Sequence, residues 1–135
     1  KTDLLKGTFN FDSSGGSTFK LALYTDISGL TTATTAFTAT NEVGTSGTSY
    51  SSGGNTLTNN GVAISSNIAF VDFADLTFSS VTLSAVGALI YKSGGSNEAV
   101  LVLDFGGTKT ATNGDFVVQF PTASSSAAII RLGNA

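Results

Sequence analysis

The residues that could do chemistry in this chain are carboxylates, because the sequence contains neither His nor Cys. The absence of His and Cys excludes Ser-His-Asp and Cys-His nucleophilic sites and zinc sites with imidazole or thiolate ligands. It also excludes histidine, the usual general base at neutral pH. A pair of carboxylates can still hydrolyse a glycosidic bond, and the candidates are Asp72, Asp75 and Asp104. Asp72 and Asp75 lie three residues apart near a predicted strand end, a spacing more typical of an Asp-capped turn than of a catalytic pair.

Two short loops carry oxygen donors of the kind that calcium prefers, but neither is dense in carboxylates. Asp12 precedes a Ser-Ser-Gly-Gly run, and Asp115 follows Asn113 and Gly114. Calcium needs several oxygen ligands from one compact loop. None of the glycine pairs continues into the Gly-Lys-Ser or Gly-Lys-Thr of a phosphate-binding loop. We therefore predict no enzymatic activity, no catalytic residue, no metal site and no cofactor.

Composition favours an all-β protein with its own core. The chain has 135 residues, of which 41% are hydrophobic and 11% charged, and Phe, with 10 copies, is the main large apolar residue. Thr, Ser, Gly and Asn supply most of the polar surface, as is typical of strands joined by short turns. The net charge is −3 and the six cations are scattered, so no nucleic-acid partner is predicted. No segment approaches the roughly 20 apolar residues of a membrane span, so no membrane partner is predicted.

Alternating apolar positions locate the strands. Residues 18–25 predict a strand that buries Phe19, Leu21 and Leu23 and leaves Tyr24 on the opposite face, exposed or at an interface. Further strands are predicted at 61–65, 67–73 with a possible extension to 78, 81–91, 99–105, 116–120 and 127–132. The run 99–105 is the most apolar and predicts a central strand buried on both faces, ended by Gly106-Gly107. Residues 112–115 have the composition of a hairpin turn.

The expected architecture is a single-domain antiparallel β-sandwich, jelly-roll-like, in which residues 1–17 form an N-terminal arm with a first strand and 18–135 form the domain. Thr2 either caps one helical turn or begins an extended arm. Residues 30–60 are rich in Thr, Ser and Gly and predict an extended excursion from the domain. Its isolated apolar residues would pin this excursion to the body or to a neighbouring subunit; they include Phe37, Val43 and Tyr50.

Several short sequence strings follow one another in a characteristic order along the chain. They are TFKLALYT at 18–25, TNEV at 40–43, AFVDF at 69–73, GALIY at 87–91, LDFGG at 103–107, NGDF at 113–116, FPT at 120–122 and IIR at 129–131. In that order they resemble a family of small virion proteins encoded in the structural gene clusters of tailed bacteriophages, over nearly the whole chain. The resemblance implies an accessory virion component.

This resemblance leads to two functional hypotheses. The first is a capsid decoration, or cement, protein that assembles in the host cytoplasm, binds the major capsid protein on the outer surface of the head as a homotrimer and bridges capsid subunits. The lack of a long repetitive shaft favours it. The alternative is a receptor- or glycan-binding module of a tail or head fibre, suggested by the excursion with Tyr50. The candidate interface residues are Leu4, Leu5, Phe9, Tyr24, Phe37, Val43 and Tyr50.

Overall fold

The computed structural model describes residues 2–133. Lys1, Asn134 and Ala135, which the predicted domain boundaries include, lie outside the described residues. The elements are α1 (Thr2–Leu5), β1 (Phe19–Tyr24), β2 (Asn55–Thr56), β3 (Asn59–Ser65), β4 (Ile68–Phe73), β5 (Leu76–Lys92), β6 (Ala99–Val118) and β7 (Ile130–Leu132). The prediction of an all-β fold with antiparallel sheets is confirmed, whereas the sheet orders do not confirm a jelly roll.

The described residues divide into two compact units, each assembled from separate stretches of chain. The first unit comprises residues 2–17, 57–76 and 118–133, and the second comprises residues 18–56 and 77–117. The prediction of a first strand within residues 1–17 is wrong, because the first strand of the described residues begins at Phe19.

The second unit contains a four-stranded sheet in the order β2-β1-β5-β6. In β5 every second residue from Val81 to Ala85 is buried, and then all residues from Gly87 to Tyr91 are buried. Strand β1 lies opposite this buried half, with Leu21 paired to Ile90 and Leu23 to Ala88. Strand β1 and the half of β5 from Gly87 to Tyr91 are buried on both faces and form the centre of the core of this unit.

Strand β6 differs from prediction in three ways. It lies at the edge of its sheet and residues 99–105 are only partly buried, so the prediction of a central strand at 99–105 is wrong. Gly106 and Gly107 do not end the strand, and no hairpin forms at 112–115, because β6 continues through both segments to Val118. Positive φ angles at Gly106, Gly107 and Asn113 let one long strand absorb these residues as local irregularities.

The first unit contains a three-stranded sheet in the order β3-β4-β7, with Ile130 of β7 paired to Val71. Strands β3 and β4 form a hairpin whose two-residue loop, Ser66 and Asn67, has positive φ at both positions, as a type I′ turn requires. Strand β4 ends at Phe73 rather than continuing to 78.

The N-terminal segment forms one helical turn, so of the two alternatives for the arm the structure has the helical one. The amide of Lys6 donates to the carbonyl of Thr2 at 2.9 Å, and Gly7 follows with φ of 70°. Phe9 and Phe11, which follow, are buried, with ring centroids 6.0 Å apart. Helix α1 is the one helix of the described residues, and neither it nor any other described segment forms a helix long and apolar enough to cross a membrane.

Candidate functional site: carboxylates, excursion and an exposed apolar face

The three candidate catalytic carboxylates each have a structural use. Asp75 accepts a hydrogen bond from the backbone N–H of Phe120 at 2.8 Å, and exposed Asp104 accepts one from Gly106 N–H at 2.8 Å. Asp72 is 2% exposed; its Oδ1 accepts from Phe73 N–H at 2.9 Å, while its Oδ2 has no hydrogen-bond partner among the described residues. Within residues 2–133 no three acidic side chains come together as a metal site would need.

Burial raises the pKa of the Asp72 carboxyl, the Phe73 N–H lowers it and the nearby negative charge of Asp75 raises it. Because the pKa of Asp72 is higher in the folded chain, its protonated carboxyl stabilises the fold fully only below the pKa of the unfolded chain, near 3.8. This contribution to the free energy of unfolding is lost as the pH rises through the folded-state pKa. At neutral pH burial of Asp72 therefore lowers the stability of the folded state relative to acid pH.

We expect Asp72→Asn to lose less stability than the parent chain as the pH rises from 4 to 7, because the amide keeps an acceptor for the Phe73 N–H and does not ionise. Urea unfolding of both chains at pH 4 and pH 7 measures this difference. The control is Asp104→Asn, the same change at an exposed carboxylate, with an effect within about 0.5 kcal/mol. An equal change of stability between pH 4 and pH 7 in the parent chain and in Asp72→Asn would contradict this assignment.

Residues 30–56 of the excursion belong to the second unit, where a hydrogen-bond network centred on Glu42 fixes them. Glu42 Oε1 accepts from the Tyr50 hydroxyl at 2.8 Å and from Gly53 N–H at 2.6 Å, and Oε2 accepts from the Ser52 hydroxyl at 2.8 Å. The Tyr50 hydroxyl in turn accepts from the buried N–H of Leu23 at 3.0 Å. Glu42 was not among the predicted residues, although it is the one charged residue in this segment, a signal that could have identified it.

Apolar contacts fix the same segment. Phe37 is partly buried and stacks on Tyr91 with ring centroids 4.8 Å apart. Val43 and Tyr50 are buried, and the ring centroid of Tyr50 lies 5.7 Å from that of Phe78. These predicted anchors therefore pin the excursion to its own chain, and the buried side chains of Val43 and Tyr50 offer no surface to a partner.

The prediction that Tyr24 is exposed or at an interface is wrong. The side chain is fully buried among Ala22, Leu89 and Tyr91, and its hydroxyl donates to the carbonyl of Thr38. The period-two pattern misplaced it because residues of the excursion cover the second face of β1. Burial, then the charge of Glu42, raises the pKa of Tyr24 to about 12, against the lowering effect of Thr38 as hydrogen-bond partner.

The raised pKa of Tyr24 predicts a loss of stability in alkali. In the unfolded chain a tyrosine releases its proton near pH 10, whereas folded Tyr24 keeps it to about pH 12. The folded state thus binds more protons between these values, so stability is complete below pH 10 and falls as the pH rises through about 12. The urea concentration at the unfolding midpoint should fall between pH 9 and pH 12. For Tyr24→Phe this midpoint should fall less steeply. Equal slopes would contradict the assignment.

The first unit presents an apolar sheet face that is exposed at several positions and buried at Val71. Cross-strand pairs place Val62, Val71 and Ile130 in one row, and opposite residues of paired strands share a face. The adjacent row is Ile64, Ala69 and Leu132. We call these six residues the apolar face. Val62 is 56% exposed, Ile64 74% and Leu132 55%.

The helical turn contributes to the same surface. Leu4 and Phe11 line a groove of about 120 Å³ together with residues of the apolar face, and Leu5 is 87% exposed. Of the predicted interface residues, Leu4 and Leu5 therefore remain at the surface, whereas the Phe9 side chain is buried. Val62, Ile64 and Leu132 were predicted as strand residues, but not as a surface.

Comparisons with family models, with curated proteins and with solved structures found no match.

Proposed function

We propose that this chain is a non-catalytic structural protein of a tailed-phage virion that decorates the outer surface of the head. It binds the major capsid protein and stabilises the particle by bridging capsid subunits. The observation that carries the proposal is the apolar face with Leu4 and Leu5 beside it, since it offers a docking surface where the resemblance implies a capsid contact.

Exposure of this kind is unusual for a chain that acts alone. Four large aliphatic side chains of the first unit, Leu5, Val62, Ile64 and Leu132, are more than half exposed, and large contiguous apolar patches mark interaction surfaces. With 11% charged residues, few charges must be desolvated in a contact. Many copies on one particle would multiply modest contacts into a large total stabilisation. A homotrimer follows from the resemblance as part of this proposal.

The fibre hypothesis has less support than decoration. It was suggested by the excursion with Tyr50, and that side chain is buried against Phe78 and Leu23. Tyr24 and Tyr91 are buried as well, so none of the three tyrosines presents its ring to a glycan.

The experiment is particle stability with and without the protein. Virions that lack this chain should lose infectivity at a lower temperature and after milder osmotic shock than complete virions, and added purified protein should restore resistance. Protein with Leu132→Lys, which places a charge on the apolar face, should not restore it. Val117→Lys is the matched control, because Val117 is an exposed apolar strand residue of the second unit. Unchanged resistance of virions without the chain would reject cementing.

A further inference from the structure

The outer edge of β3 is unpaired within residues 2–133. In the order β3-β4-β7, β3 bonds on one side to β4, and no described strand pairs with its other side. Its residues from Val62 to Ser65 are all exposed. An unpaired edge presents a row of backbone N–H and C=O groups that can pair with another strand.

The hairpin turn determines which backbone groups point outward. A two-residue type I′ loop is closed by a hydrogen-bonded pair, here Ser65 and Ile68. Hydrogen-bonded and non-hydrogen-bonded pairs alternate along an antiparallel ladder. Ala63 therefore bonds inward to Phe70, whereas Val62 and Ile64 direct their N–H and C=O groups to the outer edge.

This edge has little of the usual protection against pairing. Strand β3, Asn59–Ser65, contains no charged residue and no proline, the devices that most often block edge strands. Its register shift between Asn59 and Val62, where Gly61 has φ of 86°, is a bulge. The bulge disturbs the first half of the strand and leaves residues 62–65 regular, so pairing is confined to that stretch.

We propose that β3 pairs antiparallel with β3 of a second copy of this chain, centred on Ala63. In this register Val62 of each copy lies opposite Ile64 of the other, and both residues already direct their backbone groups outward. The contact is isologous, as a two-fold axis requires. It joins the two three-stranded sheets into one of six strands and makes their apolar faces continuous.

A second copy fits this edge because the edge is complementary to itself. The register that satisfies the outward groups of Val62 also satisfies those of Ile64, and the uncharged strand meets an identical uncharged strand without like-charge repulsion. In this register only residues 62–64 of each copy pair, and two three-residue stretches bury less than the roughly 1,200 Å² of a stable interface, so a weak dimer with a Kd on the order of micromolar is expected. This two-fold contact differs from the three-fold contact of the proposed homotrimer, and it does not rest on the proposed function.

Sedimentation velocity of the purified chain over a dilution series tests association. The chain should form a concentration-dependent species of higher mass, and Ile64→Lys should raise its dissociation constant at least tenfold, while Val117→Lys should leave it unchanged. Both positions are exposed, so circular dichroism should show both variants folded. A chain that is monomeric at all concentrations, or associates equally well with Ile64→Lys, would overturn the proposal.

Disulfide formation tests the register, because the chain has no cysteine of its own. In Ala63→Cys the two introduced thiols face each other in a non-hydrogen-bonded pair, with Cα atoms about 4.5 Å apart, within the range that a disulfide bridges. In the control Ser65→Cys they are about 13 Å apart along the strands. Mild oxidation should link Ala63→Cys rapidly and Ser65→Cys slowly. Equal rates would overturn the register, and cross-linking only to a different virion protein would overturn the second copy as occupant.

Discussion

Gly54→Ala is expected to destabilise the second unit by about 3 kcal/mol or more, or to prevent its folding. Gly54 has φ of 68°, and a Cβ atom there would lie 1.8 Å from the carbonyl oxygen of Leu21 in β1. The substitution combines a backbone conformation that disfavours side chains with a clash against another backbone, and neither can relax alone. Urea unfolding followed by tyrosine fluorescence measures the loss.

Gly47→Ala separates the two causes. Gly47 lies in the same excursion with φ of 71°, and a Cβ atom there has nothing within 4 Å. It therefore has the conformational cost without the clash, about 1 kcal/mol. Equal losses of stability for Gly47→Ala and Gly54→Ala would show that Gly54 does not lie against the backbone of Leu21 in β1.

Tyr50→Ala is expected to cost about 3–5 kcal/mol, as for other large aromatic truncations in a core. The substitution removes the ring that packs against Phe78. It also leaves the buried N–H of Leu23 and one oxygen of Glu42 without the tyrosine hydroxyl. Chemical unfolding should show a lower midpoint, and limited proteolysis should cleave the excursion sooner than in the parent chain.

Two further variants divide this loss into its parts. Tyr50→Phe keeps the ring and should cost about 1–3 kcal/mol, the cost of leaving buried polar groups unpaired. Thr45→Ala changes an exposed position of the same excursion and should stay within about 0.5 kcal/mol. A Tyr50→Ala variant as stable as the parent would mean that the excursion is not anchored through Tyr50.

The sequence predicted the fold class and most strands, because short apolar segments such as β1 and β4 are bounded by turn residues. It failed where one strand is long. Gly106, Gly107 and Asn113 are typical turn residues, but positive φ angles place them inside β6. The apolar run 99–105 predicted a central strand, although sheet order depends on long-range pairing that no local pattern records.

The anchors of the excursion could be predicted as apolar points in a polar segment, and Phe37, Val43 and Tyr50 do contact the body of the second unit. Their burial could not be predicted, because the segment covers a strand face that the alternation of β1 alone assigns to the surface. The apolar face was likewise missed, since Val62 and Ile64 form a surface only once their pairing with Val71 and Ala69 is known.

The most direct test of the proposed role is the molar ratio of this chain to the major capsid protein in purified virions, measured by quantitative mass spectrometry. A protein that cements the shell occupies many equivalent positions, so we expect on the order of hundreds of copies per particle. A few copies to a few dozen would place the chain on a tail or fibre and contradict decoration of the capsid.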